Sequence, residues 1–299
     1  MPTVNLLALG LVLAAAVAHA VWNLAAKKAG AGGVPFVWLA SVCSAVLLAP
    51  LGIWGVLGSG GHWLPWLLGG AVSGVLHTGY FVLLQRGYAQ GDISVVYPLA
   101  RGTGPALSVL LALLVLGERP GWPAVLGAAV VVGGVVLIGL SGSTPTPAKR
   151  PSRLGAGVLY GVLTGFTIAA YTLWDAHSVT SAGLAVFPIS LMWGSALAEV
   201  LLLAPFALRS GGTTGSRVRS VWSQNRREVL IVATVSPLAY VLVLFALQLA
   251  PVAMVAPARE LSVVFVTLAG AFLLHEAEPR KRLIGAGIVV AGVALIAVS

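Results

Sequence analysis

Two arginines stand in stretches that are otherwise almost wholly apolar. Arg101 lies in VVYPLARGTGPALSVLLALLVLGERP (Val95–Pro120), and Arg259 lies in VAPARELSVVFVTLAGAFLLHEAEP (Val255–Pro279). A guanidinium offers a planar fork of donors that grips carboxylate or phosphonate oxygens two at a time. Three acids sit in comparably apolar surroundings, Asp175, Glu199 and Glu260, and each is a candidate to load a proton. Polar aromatics recur at similar depth: His77, Tyr80, Tyr97, Tyr171 and Tyr240. Tyrosine, apolar in body and wet at one end, suits a binding cavity, a helix interface or an interfacial belt equally well. Together these residues predict an anion-seeking site with a carboxylate that carries a proton. The competing reading is a set of structural ion pairs, such as Arg101 with Glu199, that only stitch helices together.

The surroundings decide what kind of molecule holds them. Of 299 residues, 59% are hydrophobic and only 8% are Asp, Glu, Lys or Arg, against about 25% charged in a soluble domain. That excess cannot be buried in a soluble core, so the composition predicts a polytopic membrane protein. The formal charge of +9 reads as loop cations that set membrane orientation. No basic stripe on a polar domain points to nucleic acid. The single cysteine, Cys43, allows no disulfide framework. No HExxH, GxSxG or Walker A pattern is present, and His19, His62, His77, His177 and His275 lack metal-ligand spacing. No cofactor, metal or catalytic residue is expected, and the chain does not read as an enzyme.

A membrane-spanning helix needs about 20 apolar residues. Such runs fall at 4–26, 35–57, 64–88, 93–116, 121–141, 154–175, 184–208, 229–250, 252–274 and 282–298. The expected fold class is therefore all-α and integral to the membrane, with ten spans. The segment AVAHA (Ala16–Ala20) resembles a signal-peptidase site. The charges of Lys27 and Lys28 follow the apolar run, however, and the residues before it carry none, so an uncleaved helix is expected. The stretch Arg209–Glu228 is too short and polar to be a folded domain.

Rare residues match at a fixed shift. Arg101 and Arg259 are 158 residues apart, as are Glu118 and Glu276, Gln90 and Gln248, Gly127 and Gly285, and Gly134 and Gly292. A weaker echo at 152 pairs Trp22–Asn23 with Trp174–Asp175, which adds Trp22 and Asn23 to the candidate site. The division is a first repeat over 1–142, a linker over 143–153 and a second repeat over 154–299. Five spans per half is an odd number, so the second copy enters from the opposite side. That is an inverted-topology repeat, an architecture that places the site near the midplane between the halves. Arg101 lies eight residues into its span, about 12 Å at 1.5 Å per residue, close to the midpoint of a hydrocarbon core about 30 Å thick. A charge at that depth facing lipid costs about 2.5–3.5 kcal/mol or more, so both arginines are expected to face the interior. Glu260 follows Arg259 directly. On a continuous helix the two point about 100° apart, so only one would face a cavity.

The loops after spans one, three, five, seven and nine hold fourteen cations, from Lys27 and Lys28 to Arg282, and the opposite loops hold only Arg119. That asymmetry predicts cytoplasmic placement for the basic loops and outward placement for both termini. GxxxG spacings at Gly70 and Gly74, and at Gly157, Gly161 and Gly165, read as close helix packing.

The ten spans, the two five-helix repeats, AVWNLAAKKAG (Ala20–Gly30), VLGERP (Val115–Pro120) and LLHEAEP (Leu273–Pro279) resemble the EamA family of the drug/metabolite transporter superfamily. The resemblance covers essentially the whole chain. It implies a secondary transporter that moves amino acids, other metabolites or drugs across the inner membrane, often outward, and the two arginines narrow the expected substrate to an amino acid or another anionic or zwitterionic metabolite. It also implies that spans 1–4 and 6–9 line the path, with spans five and ten bracing it. Glu118 and Glu276 become acids at helix starts and not substrate ligands. YPLARGTGP (Tyr97–Pro105) and HAVWN (His19–Asn23) resemble a branch associated with phosphonate use, which fits two central arginines. The chain lacks the early basic residues and the basic loop between spans two and three of many members, so orientation is read from its own charges. A channel-like facilitator and a membrane enzyme on a lipid-linked substrate are the alternatives. The expected partners are a small-molecule substrate and the lipid bilayer, with a homodimer as a further candidate and no nucleic acid.

Overall fold

The computed structural model describes residues 5–29, 33–60, 63–90, 93–141, 151–209, 215–273 and 279–298. Among them every regular element is helical, in the order α1 (Leu6–Ala29), α2 (Gly33–Gly58), α3 (Trp63–Gln90), α4 (Ile93–Leu114), α5 (Trp122–Ser141) and α6 (Pro151–Val179). There follow α7 (Pro188–Arg209), α8 (Ser216–Leu249), α9 (Val252–Ala258), α10 (Leu261–Leu273) and α11 (Pro279–Ala297). Eight of these, α1 to α8, are long and apolar enough to cross a membrane, and Leu283–Ala297 is a shorter apolar helix. Large apolar side chains such as Trp54, Leu57, Leu201 and Phe206 point outward. A water-soluble protein rarely leaves so many uncovered. This is a multi-pass membrane protein.

Four sequence expectations need correction. The stretch expected as one span over 252–274 is two helices, α9 and α10, with Arg259 and Glu260 in the turn between them. Pro257 explains the break: it has no N–H to continue the ladder. The chain tightens behind it, with Glu260 N–H bonding to Pro257 O, Ser262 N–H to Arg259 O and Val263 N–H to Glu260 O, all three residues back. The polar stretch before span eight is helical from Ser216, with a kink at Asn225. Its arginines point out while Val221 packs with Phe36, Leu39 and Val229, which makes it an amphipathic lead-in. Helix α7 starts at Pro188, four residues later than expected, because Ser181–Phe187 is folded back onto the end of α6 by Leu184 N–H to His177 O and Val186 N–H to Ser178 O. Helix α6 begins at Pro151, inside the stretch expected as linker. Glu276, expected as an acid at a helix start, lies outside the described residues.

The chain forms two compact units, each drawing on both sequence halves. The first comprises Met1–Ala16, Gly79–Leu173 and Leu249–Ser299. Its centre is the contact of α5 with α11. A Cβ on Gly127 would come within 2.6 Å of Gly292 O, and one on Gly134 within 2.9 Å of Gly285 O. The helices run antiparallel here, and their backbones touch where any side chain would hold them apart. Helix α4 packs on α5 through Gly102 against Val136, and on α6 through Leu99 against Gly161. Two prolines, Pro98 and Pro105, interrupt α4, while Thr103 and Ser108 hydroxyls donate to Leu99 O (2.6 Å) and Gly104 O (2.9 Å) within it. All seven residues of α9 are buried.

The second unit comprises Val17–Thr78 and Trp174–Gln248. Here α7 is gripped from two sides. On α2, Trp38 Nε1 donates to Val200 O (3.0 Å), and Ser190 Oγ of α7 donates to Gly52 O (2.9 Å). On α3, a Cβ at Gly70 would meet Gly194 Cα at 2.8 Å, the close approach its GxxxG spacing predicts. Trp66 stacks on Trp193 and donates to Ser190 O (2.8 Å).

Candidate functional site

In the first unit, the turn between α9 and α10 carries Arg259 and Glu260 into the interior, where they are 4% and 1% exposed. Both are inside because the whole stretch Val252–Val264 is buried, so neighbouring residues on different faces of the turn still point into the interior. Arg101 of α4 meets them. Its Nη1 lies 3.6 Å from Glu260 Oε2, and Arg259 Nε lies 3.9 Å from Glu260 Oε1. The carboxylate facing Arg101 is thus that of Glu260, and not Glu199 as in the ion-pair alternative. Aromatic rings complete the cluster: Arg101 sits over the Tyr97 ring at 5.8 Å, Arg259 over the Tyr171 ring at 5.9 Å, and Tyr80 meets Tyr171 edge to face. Aromatic faces attract cations and shield the guanidinia from lipid without spending their donors.

In the second unit, Asp175 at the end of α6 is fully buried. Tyr240 of α8 donates its hydroxyl to Asp175 Oδ2 at 2.7 Å, and His77 Nε2 of α3 lies 4.0 Å from the same oxygen. His77 and Tyr240 rings meet edge to face, and His77 Nδ1 lies 3.0 Å from Ser73 O. Glu199 of α7 accepts a hydrogen bond from Ser41 Oγ at 2.7 Å. The pair Trp22 and Asn23 of α1 does not share the chemistry of its echo: Asn23 Nδ2 donates to His19 O of its own helix (2.6 Å), and the indole N–H of Trp22 is buried with no hydrogen-bond acceptor.

The ten site residues thus fall into two groups. Arg101, Arg259, Tyr97, Tyr80 and Tyr171 gather with Glu260 in the first unit. His77, Tyr240, Glu199, Trp22 and Asn23 belong to the second, with Asp175 bound to Tyr240 and near His77.

Sequence reasoning missed two working residues. Ser41 stands 158 residues before Glu199, but that shift marks equivalent positions and not contacts, so no signal in the sequence pointed to the pair. Glu118 was expected to start its own following helix. Instead its two carboxylate oxygens accept the backbone N–H groups of Val252 (2.7 Å) and Ala253 (2.9 Å). The residue before α9 is Pro251, which offers no side-chain cap, so a carboxylate from elsewhere satisfies amides that the helix start leaves orphaned. Nothing in the local sequence marks that long-range cap. A cavity of about 520 Å³ lies beside it, lined by Ala8, Trp122, Met254, Val255 and Ala258 among others. Its lining is mostly apolar, with Asn5, Glu118 and Arg119 as its polar members, and neither arginine of the charged cluster lines it.

Comparison with known proteins agrees with this architecture. The pattern of the EamA-like transporter family matches residues 6–140 and again 155–298. Multidrug resistance protein EbrB of Bacillus atrophaeus is 32% identical over 88 residues, which make up 29% of this chain and 71% of that protein. A solved crystal structure aligns over 96% of this chain and 95% of its own with a TM-score of 0.67, at 20% identity. That last likeness concerns the fold alone.

Proposed function

The chain belongs to the EamA-like transporter family and is a membrane transporter, and from that premise we propose that it is a secondary transporter exporting a small anionic or zwitterionic metabolite. The observation that carries the substrate class is the convergence of two guanidinia, the half-buried Arg101 and the buried Arg259, on one carboxylate. Intramembrane charges are costly and usually mark a substrate or ion path. Guanidinia in particular select planar oxyanions. The tyrosines around them supply an apolar wall with polar tips.

Transport proceeds by alternating access across the inner membrane, with ten spans in two inverted repeats. The reciprocal contacts of α5 and α11 support that symmetry: Gly127 and Gly285 are repeat partners, as are Gly134 and Gly292, and each touches the other pair's member. The buried acids Glu260 and Asp175 and the half-buried Glu199 supply the group that couples transport to protons. The name of the EbrB relative, a multidrug resistance protein, supports outward movement.

The test is a thermal-shift screen of the purified protein against metabolites, followed by flux into proteoliposomes with an imposed pH gradient. Stabilisation by anions or zwitterions, and uptake that responds to the gradient, are expected. Stabilisation confined to cationic or neutral apolar compounds would sink the substrate class.

A further inference from the structure

We propose that Glu260 is the resident anion of the arginine site, and that a doubly charged substrate displaces it with uptake of one proton by its carboxylate. This rests on the anion-site reading above and assigns the site its ligand charge and its proton.

The geometry of the resting cluster is that of a held place. Each oxygen of Glu260 faces a different guanidinium, Oε2 toward Arg101 at 3.6 Å and Oε1 toward Arg259 at 3.9 Å. Charge-assisted N–H···O bonds are about 2.7–2.9 Å long, so neither contact is a hydrogen bond, and Oε2 is buried with no hydrogen-bond partner at all. One carboxylate bridges two forks without closing on either. An oxyanion with a pair of oxygens for each guanidinium would make the bonds that Glu260 leaves unmade.

The charge count points the same way. The repeat places a cation in both halves, but the position matching Glu260, 158 residues earlier, is Gly102. The cluster therefore holds two positive charges and one negative. Among the described residues, the other titratable groups around it are the phenols of Tyr97 on α4, Tyr80 and Tyr88 on α3 and Tyr171 on α6. The sequence of α5 and that of α10 contain no titratable side chain, and the only ones on α11 are Arg280, Lys281 and Arg282 at its first turn. A dianion brought in beside an ionised Glu260 would leave a surplus negative charge in a site screened from water. Glu260 is 1% exposed, so water does not screen that surplus, and a proton on its carboxylate cancels it. The proton comes from water and rests on a Glu260 oxygen. A singly charged anion balances the cluster with Glu260 still ionised and takes up no proton.

The experiment is titration calorimetry on the purified full-length protein, near neutral pH, in two buffers of different ionisation heat. The probes are sulfate and succinate as dianions and acetate as a monoanion. One proton taken up per dianion and none per acetate is the expected result. The dianion Kd should then weaken about tenfold for each unit rise in pH, because the bound state holds the extra proton. Glu260→Gln should bind dianions about tenfold more tightly or better, with no pH dependence. Arginine-dependent dianion binding with no proton uptake would overturn the role of Glu260 and leave the anion site standing. If no probe binds, or if Arg101→Ala binds as wild type does, the anion site itself falls. Should Glu260→Gln not fold, the proton count on the wild-type protein decides alone.

Discussion

A guanidinium among apolar helices is tolerated when something answers its charge, and the answer in the first unit is Glu260. Replacing Arg101 by alanine removes one of the two groups near Glu260 and leaves only Arg259, at 3.9 Å. Anion affinity is expected to drop by about 100-fold or more, in line with the 2–5 kcal/mol lost when one partner of a buried charge pair is truncated. Arg101→Lys should recover only part of it, because an ammonium is a point charge and not a fork. Calorimetry with succinate reads both variants, and full rescue by lysine would argue against paired recognition of oxygens. Glu199→Gln is the contrasting case. Its carboxylate meets the neutral Ser41 hydroxyl, and a glutamine oxygen can accept the same bond. Dianion-linked proton uptake should persist in that variant at the wild-type count, and its loss would transfer the proton from Glu260 to Glu199. The arginines were legible in the sequence because a charge in an apolar run has few explanations. Their partner was not. Helical spacing sends Arg259 and Glu260 to different faces, and both lie inside because Val252–Val264 is buried on every face, which only the packing of the other helices decides.

Helix α9 shows how an element of seven residues can hold that turn in place. Its far end begins the break at Pro257, and its near end is fixed by Glu118 through two backbone amides. Glu118→Ala removes both acceptors and a negative charge at a helix N-terminus. The expected loss is about 1–2 kcal/mol of stability, read as a lowered Tm in detergent, with weaker anion binding because α9 leads directly into Arg259. An unchanged Tm would mean that other groups or water hold those amides. The α5–α11 contact tests packing in a different way. Gly127→Val places a branched side chain 2.6 Å from the backbone oxygen of Gly292 and should lower Tm by several degrees or abolish expression. Gly133→Ala on the same helix, where nothing lies within 4 Å of the new methyl, should be neutral or slightly stabilising. Equal effects at the two positions would show that the close approach carries no weight. The glycine matches at a shift of 158 were visible in the sequence, but not that Gly127 would face Gly292 and Gly134 face Gly285. A repeat fixes equivalence between positions, whereas contact depends on the side from which each copy enters.

At the scale of the whole molecule, the asymmetry of charge remains the strongest guide to direction. On the ten-span reading, fourteen cations fall to the loops after the odd-numbered spans and Arg119 alone to the others. The structure adds a detail to this count. Four of the fourteen, Arg217, Arg219, Arg226 and Arg227, are exposed on the amphipathic start of α8, a helix whose Val221 is buried. Cations on such a lead-in meet the anionic head groups of the cytoplasmic leaflet at about 1 kcal/mol each, so the segment should hold its end of α8 on that side. Both termini are then expected on the outer side. In a bacterial host, an alkaline phosphatase fused after Ser299 should be active, while a green fluorescent protein at the same place should stay dark. Reversing the charge of the lead-in, with Arg217, Arg219, Arg226 and Arg227 all changed to glutamate, should lower phosphatase activity by weakening the bias that sets orientation. A dark phosphatase and a bright fluorescent fusion on the unaltered chain would instead put both termini in the cytoplasm. The direction of transport would then have to be reassigned, while the arginine site, whose contacts do not depend on which face is which, would stand unchanged.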